Sequence, residues 1–227
     1  MSDQTPDHFV TPINVLEGVH NYCNRWCERC RFRARCTVYV NTHPQSIEAR
    51  DTVPFEPVMS SELQETLEAA GAFEEPTAVA MAEFDRRERR LRREIAKEPA
   101  LTLAKAYTTA AEVALGELGE AGARDAAEVV RWHQYFIWIK VHRALHGKMD
   151  EWFEPADMES DAYGSAKAAL VAMDDVMAAW LELGEHIAAV NAVHEAVELL
   201  RRARSALESV LPRAREFVRP GFDTEPA

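Results

Sequence analysis

The sequence holds no glycine-rich phosphate loop: neither G-x-x-x-x-G-K nor G-x-G-x-x-G occurs, and no G-x-S-x-G marks a hydrolase nucleophile. The first two patterns build backbone cradles for phosphates and the third lifts a serine onto a strained turn. Their absence argues against nucleotide hydrolysis and α/β-hydrolase chemistry. A basic excess is missing too, with 26 Lys and Arg against 38 Asp and Glu and a net charge of −12. Nucleic-acid binding draws much of its affinity from cations that neutralise phosphates, so a dedicated binder is disfavoured. No apolar run reaches the roughly 20 residues that a bilayer demands; the longest strongly apolar stretch is Tyr135 to Ile139. The opening residues, MSDQTPDHF, lack the basic start and apolar run of a secretory signal. No membrane partner and a cytoplasmic location are therefore expected. Neither an internal repeat nor a low-complexity segment is visible.

What is present is an ordinary globular composition, 47% hydrophobic and 28% charged. A chain of 227 residues can bury a sizeable core in one main domain with an appendage. Residues 1–59 carry Pro6, Pro12, Pro44, Pro54 and Pro57 without a sustained helical period, so this segment is expected to be irregular. Val10 to Leu16 and Thr37 to Val40 are its candidate strands. Residues 60–98 read as two surface helices. The first opens on the capping box of Ser61 and Gln64 and stops at Gly71. The second starts at Pro76, carries Phe84, Leu91 and Ile95 on one face and arginines around the rest, and ends before Pro99.

Residues 99–219 show the spacing of four longer helices, at about 100–118, 125–146, 161–183 and 185–218. Ala166, Leu170, Met173, Met177 and Trp180 form one apolar stripe at three- and four-residue steps. Val190, Val193, Val197, Leu200, Leu207 and Leu211 form another. Pro212 should kink or restart the last helix, because it removes a backbone donor and crowds the preceding turn. Short connections favour antiparallel neighbours, and an all-α, up-down four-helix bundle buries all four stripes. Residues 220–227 are expected to be a disordered tail.

The strongest chemical signal is Cys23, Cys27, Cys30 and Cys36, spaced C-x3-C-x2-C-x5-C within fourteen residues. In a reducing compartment such a group binds metal more readily than it forms disulfides. Four thiolates can close around a [4Fe-4S] cluster or a tetrahedral zinc ion. Zinc ribbons place two C-x2-C knuckles well apart, whereas here one C-x2-C is flanked by a lone cysteine on each side, which tilts the reading toward iron-sulfur. Arg25, Arg29, Arg31, Arg33 and Arg35 would offset the negative charge of either centre.

Cys27, Cys30 and Cys36 have spacing that resembles the tail of the [4Fe-4S] loop in the endonuclease III family of DNA glycosylases. The loop here has a shorter first gap and no helix-hairpin-helix motif, so nothing of glycosylase catalysis carries over. Cys23, Cys27 and Cys30, with Asn24, are similar to the C-x3-C-x2-C of radical SAM enzymes. The chain departs from that family in having no alternating strands and helices, Arg29 at the usual aromatic position, and a fourth cysteine. Each resemblance covers fewer than twenty residues and implies a metal-binding loop rather than a family.

A second constellation falls inside the bundle. His133, Ile137, Lys140 and Ala144 share one helical face, Tyr163, Lys167, Leu170 and Asp174 share another, and His194 flanks Val190 and Val197. His133, Lys140, Lys167, Asp174 and His194 are therefore candidate small-ligand residues. Lys140 or Lys167 paired with Asp174 or Asp175 would satisfy the demand of a buried charge for a partner, as would a pocket for a small anion. The alternative is a satisfied core histidine and snorkelling lysines. A di-iron site is disfavoured, since no Glu-x-x-His occurs in the helical region; Glu112, Glu128, His133, Asp174, His186 and His194 could supply only an irregular one. Three arginine-rich stretches, with Trp26, Phe32 and Tyr39 near the first, leave nucleic acid as a lesser option. In residues 86–93 the interleaved Glu83, Asp85, Glu88 and Glu94 make the face read as solvated. The expected function is a helical-bundle protein whose metal centre is structural or redox-sensing. The alternatives are a small iron-sulfur redox enzyme or electron carrier, and a zinc-stapled adaptor for nucleic acid or protein. A protein partner or a homo-oligomer is compatible with each.

Overall fold

The computed structural model describes residues 10–12, 14–43, 52–54, 77–118, 124–150, 155–184 and 190–223. It divides into two compact units. One takes the described residues up to Glu17 and those from Cys27 to Arg90. The other takes Gly18–Trp26 and the described residues from Leu91 onward.

In the first unit, β1 (Val10–Pro12) pairs antiparallel with β2 (Thr52–Pro54), Val10 opposite Pro54 and Pro12 opposite Thr52. Prolines at the ends of this short ladder remove donors, and strands that contain proline are confined to such edges. The β-branched run at 37–40, expected as a strand, is instead the start of α1 (Thr37–Thr42). Local bonds account for the difference. Cys36 C=O accepts from Val40 N–H at 3.1 Å and Tyr39 C=O from His43 N–H at 2.9 Å. Asn41 Nδ2 and Thr42 Oγ1 return to the carbonyls of Thr37 and Val38 at 2.7 and 2.9 Å. Tyr39 and Val40 are buried. β-propensity reports fit to a half-buried pleated surface, and among the described residues no strand pairs with this run.

The second surface helix forms as α2 (Ala78–Ile95), and the Thr77 hydroxyl caps it by accepting from Ala80 N–H at 3.2 Å. Val79, Met81 and Phe84 are exposed, while Leu91 and Ile95 are buried. The capping box at 61–64 and the stop at Gly71 lie outside the described residues.

The second unit is built on α3 (Pro99–Gly116), α4 (Arg124–Met149), α5 (Pro155–Gly184) and α6 (Val190–Val210). Pro99 sits at the start of α3, where its missing N–H costs nothing. Each helix packs against the next, and α6 closes the ring against α3, so the core is a four-helix bundle. Neighbours run in opposite directions. Late in α4, Gly147 and Arg143 meet Ala162 and Asp161 early in α5. On α5, Asp174 reaches Arg204 of α6, and Lys167, earlier on α5, reaches Arg215, beyond the end of α6.

Small residues let these helices approach. Alanines at 104, 111, 144, 166, 169, 196 and 203 are fully buried among Leu145, Leu170, Met173, Leu200 and Leu207. The last helix, expected over 185–218, ends earlier than that. It ends at Val210, Leu211 makes one more helical bond to Leu207, and Pro212 leads into a 3-10 turn over Ala214–Glu216. Proline thus ends this helix rather than kinking it.

Two large polar-tipped side chains cross the centre of the bundle. The Trp180 indole N–H donates to the Tyr107 hydroxyl at 3.3 Å, and both residues are essentially inaccessible. Burial pushes the Tyr107 phenol well above its usual range, so it stays neutral and available as the acceptor. Replacing Tyr107 by Phe should leave the indole donor buried without a partner, at a cost of about 1–3 kcal/mol. Chemical denaturation should show a lower midpoint with the same helical circular dichroism; an unchanged midpoint would mean that this bond contributes nothing.

Candidate metal centre and its anchoring segment

The segment that carries the first cysteine belongs to the helical unit. Gly18, at φ +71°, starts a 3-10 turn over Val19–Asn21, a backbone conformation that side chains other than glycine adopt with strain. Val19, Tyr22 and Trp26 are buried. Tyr22 lies against α5 at Gly164, where a Cβ would stand 2.2 Å from the ring, and meets Phe217 edge to face at 4.9 Å between centroids. The glycine at 164 is what makes room for the tyrosine. Cys23 Sγ donates to His20 C=O at 3.5 Å.

Asn24 then turns the chain. Its Oδ1 accepts from Trp26 N–H at 3.2 Å, and Arg25 between them sits at φ 60°, unusual outside glycine. With Oδ1 engaged, Nδ2 faces His133 Nε2 at 3.3 Å. The carbonyl of Asn24 accepts from the Trp132 indole at 2.9 Å, and the Trp26 and Trp132 rings stack at 5.1 Å. Three bonds from one asparagine therefore tie this segment to itself and to α4.

His133 is 2% exposed, as its place in the apolar stripe predicts. Its Nδ1 faces Val129 C=O at 2.9 Å. A donor to that carbonyl and an acceptor from Asn24 define the neutral tautomer with the proton on Nδ1. Burial lowers its pKa below 6.5, against the weaker opposing effects of the Val129 carbonyl and Asp175. Lys140, two turns further on the same face, is 6% exposed and donates to Asn21 C=O at 2.7 Å. Its pKa falls to about 8, chiefly by burial and then by the Arg143 guanidinium, while Cys23 acts in the opposite direction. It is thus mostly charged at neutral pH. The expected carboxylate partner for Lys140 is replaced by a backbone carbonyl of the anchoring segment.

The other three cysteines belong to the N-terminal unit. Cys27 begins a 3-10 turn, Cys27–Arg29, closed by Cys30 N–H to Cys27 C=O at 3.1 Å. A second turn, Arg33–Arg35, follows, and Cys36 N–H bonds Arg33 C=O at 3.3 Å before α1 begins. None of the four cysteines is in a disulfide. Among the described residues, no group of three or more His, Cys, Asp or Glu is arranged to hold a metal ion.

The remaining candidates do not gather into a site. Lys167 Nζ donates to Arg215 C=O. Asp174 is held by Arg204 and Arg215 at 3.2 and 2.8 Å, and Arg215 also pairs with Glu208 at 2.7 Å. His194 is exposed on α6. Glu112 accepts from the Tyr135 hydroxyl. His186 is outside the described residues. What the sequence reading missed is the seat of the segment itself: Asn21, Trp132 and Gly164. An asparagine two residues before Trp26 was a legible turn signal; the glycine and the carbonyl were not. Comparison with known proteins finds no matching family model, no matching curated protein and no matching solved structure. No helix among the described residues is long and apolar enough to cross a membrane.

The His133 geometry sets a pH dependence. Because its folded pKa lies below the unfolded value, the unfolded chain takes up the proton first. Stability should therefore be full above about pH 6.5 and fall as pH drops below it. His20, also lowered by burial, adds in the same direction. Asp175, raised by burial, opposes them only in the acidic range. Denaturation midpoints measured between about pH 8 and pH 5 should fall for the natural chain and fall less for His133→Gln. Identical pH profiles would contradict the neutral assignment.

Proposed function

We propose that the protein binds one metal centre through Cys23, Cys27, Cys30 and Cys36, a [4Fe-4S] cluster in the first reading and zinc in the second, with a structural or redox-sensing role. The observation that carries this reading is the cysteine spacing, four thiols in fourteen residues with one C-x2-C pair. Two features support it. A backbone bond closes the turn from Cys27 to Cys30, and the segment bearing Cys23 is held by Asn24, His133 and Lys140. The free protein need not gather all its donors, because metal binding and local folding are commonly a single event.

Iron-sulfur and zinc centres make the same demand on the protein, four deprotonated sulfurs and a net negative charge to offset. Arg25, Arg29, Arg31, Arg33 and Arg35, interspersed among the cysteines, suit that demand. A structural role would fasten residues that have little other regular structure. A redox-sensing role would use the same ligands and respond through cluster loss or oxidation.

Substituting Cys30 by Ser tests the reading, since it removes one sulfur at an exterior turn and leaves the bundle core untouched. The variant should lose most of its metal and become more susceptible to protease in the N-terminal region. Full metal content with unchanged protease resistance would overturn the proposal.

A further inference from the structure

α4 is apolar on two sides. Val130, Ile137, Val141 and Leu145 are packed in the bundle core, yet on the opposite side Trp132, Tyr135 and Ile139 are 38%, 45% and 57% exposed. A bundle helix ordinarily turns polar residues to solvent there. One exposed apolar side chain needs no explanation, but three large ones at steps of three and four form a continuous ridge, the kind of surface that marks an interaction site. The polar tips of its rings are engaged within the chain. The Trp132 indole donates to Asn24 C=O and the Tyr135 hydroxyl to Glu112, so the surface left open is chiefly apolar.

Followed in both directions, the ridge reads Glu128, Trp132, Tyr135, Ile139, His142 and His146, at steps of four, three, four, three and four. That is the 3.5-residue repeat of a coiled-coil seam, which keeps one line of side chains turned toward a partner helix. The two ends of the ridge differ in charge. Glu128, and Glu112 held on Tyr135, lie toward the N-terminal end; His142 and His146 lie toward the C-terminal end, with Arg143 and Lys148 exposed beside them. Arg131 departs from this order, and Arg143 is already forked onto Asp161. The contrast rests on the two glutamates at one end and Lys148 with the histidines at the other.

We infer that this ridge is the interface of a homodimer, in which α4 packs antiparallel on α4 of a second copy across a two-fold axis near Ile139. In such an isologous contact one ridge serves both chains. Ile139 then meets its own copy, Trp132 lies opposite His146 of the second copy, and Glu128 lies toward the second copy's Lys148. A parallel pair would set Glu128 on Glu128 and histidine on histidine, and would align the two helix dipoles like end to like end. One helix ridge per chain is a small interface, and each bundle has its own core, so the dimer forms with rising concentration rather than being a condition of folding. None of these residues belongs to the four-cysteine centre.

The test is the mass in solution, by sedimentation equilibrium over about 1–300 μM. The natural chain should rise from 25.6 kDa toward twice that value. Ile139→Lys and Ile139→Glu each place like charges across the axis at an exposed position, and each should weaken the dimer about tenfold or more while leaving helical circular dichroism unchanged. An equimolar mixture of the two should regain the dimer, because unlike charges then face each other. Glu128→Lys reports direction: it should weaken an antiparallel dimer severalfold, by turning a cation toward Lys148, and leave a parallel one unchanged. A natural chain that keeps the mass of one copy throughout overturns the inference, and the ridge then serves no second copy. A dimer that both Ile139 variants leave intact, or a mixture that stays monomeric, overturns the self-contact at Ile139. An unchanged dimer in Glu128→Lys overturns the antiparallel order.

Discussion

A charged ammonium and a neutral imidazole, buried two turns apart on one face of α4, must each find a partner. Within α4, Lys140 has the Phe136 ring at 5.7 Å and His133 the Val129 carbonyl at 2.9 Å, and each also bonds to the segment before Cys27. Lys140 takes the carbonyl of Asn21, and His133 takes the amide of Asn24. These two bonds explain why a segment so distant in sequence lies on the helices at all. They also explain why it is polar at Asn21 and Asn24 yet apolar at Val19, Tyr22 and Trp26: the odd polar groups answer α4, and the rings fill the space around them. The first of the four cysteines lies between the two bonds, so a demand created in the core fixes the position of a candidate metal ligand.

Most of the bundle interior is apolar, and among its described buried side chains Gln134 Oε1 and Ser165 Oγ have no hydrogen-bond partner. Alanines bring the helices together, leucines fill the layers, and the single buried pair of polar rings, Trp180 and Tyr107, satisfies itself. The charged residues of α5 and the end of α6 likewise pair among themselves, Asp174 with Arg204 and Arg215, and Arg215 with Glu208. Such partly exposed pairs contribute little stability individually. Their effect is to occupy Asp174, so that Lys140 bonds instead to the carbonyl of Asn21.

Periodicity made the bundle readable, since the stripe of His133, Ile137, Lys140 and Ala144 is buried as one face, and Leu170, Met173 and Trp180 are core. The partners of the polar members were not readable. A backbone carbonyl has no sequence signature, so carboxylates were the natural expectation for Lys140 and the Asn21 carbonyl was invisible. Nor does the sequence mark Gly164 as the place that admits the Tyr22 ring. The run at 37–40 shows the opposite error: β-branched composition suggested a strand, but local side-chain bonds from Asn41 and Thr42 favoured a helical turn. Pro212 was legible as a disruption, expected to kink or restart the helix, and the helix ends before it with a 3-10 turn following. The cysteine spacing remains the clearest chemical statement in the sequence.

The most direct measurement is the iron, acid-labile sulfide and zinc content of the natural chain purified without oxygen, taken with its visible absorption spectrum. The account predicts about four iron and four sulfide per chain with a coloured, reducible species; one zinc and no colour would keep the four-cysteine centre and change the metal. A folded chain with neither iron nor zinc would contradict the central claim.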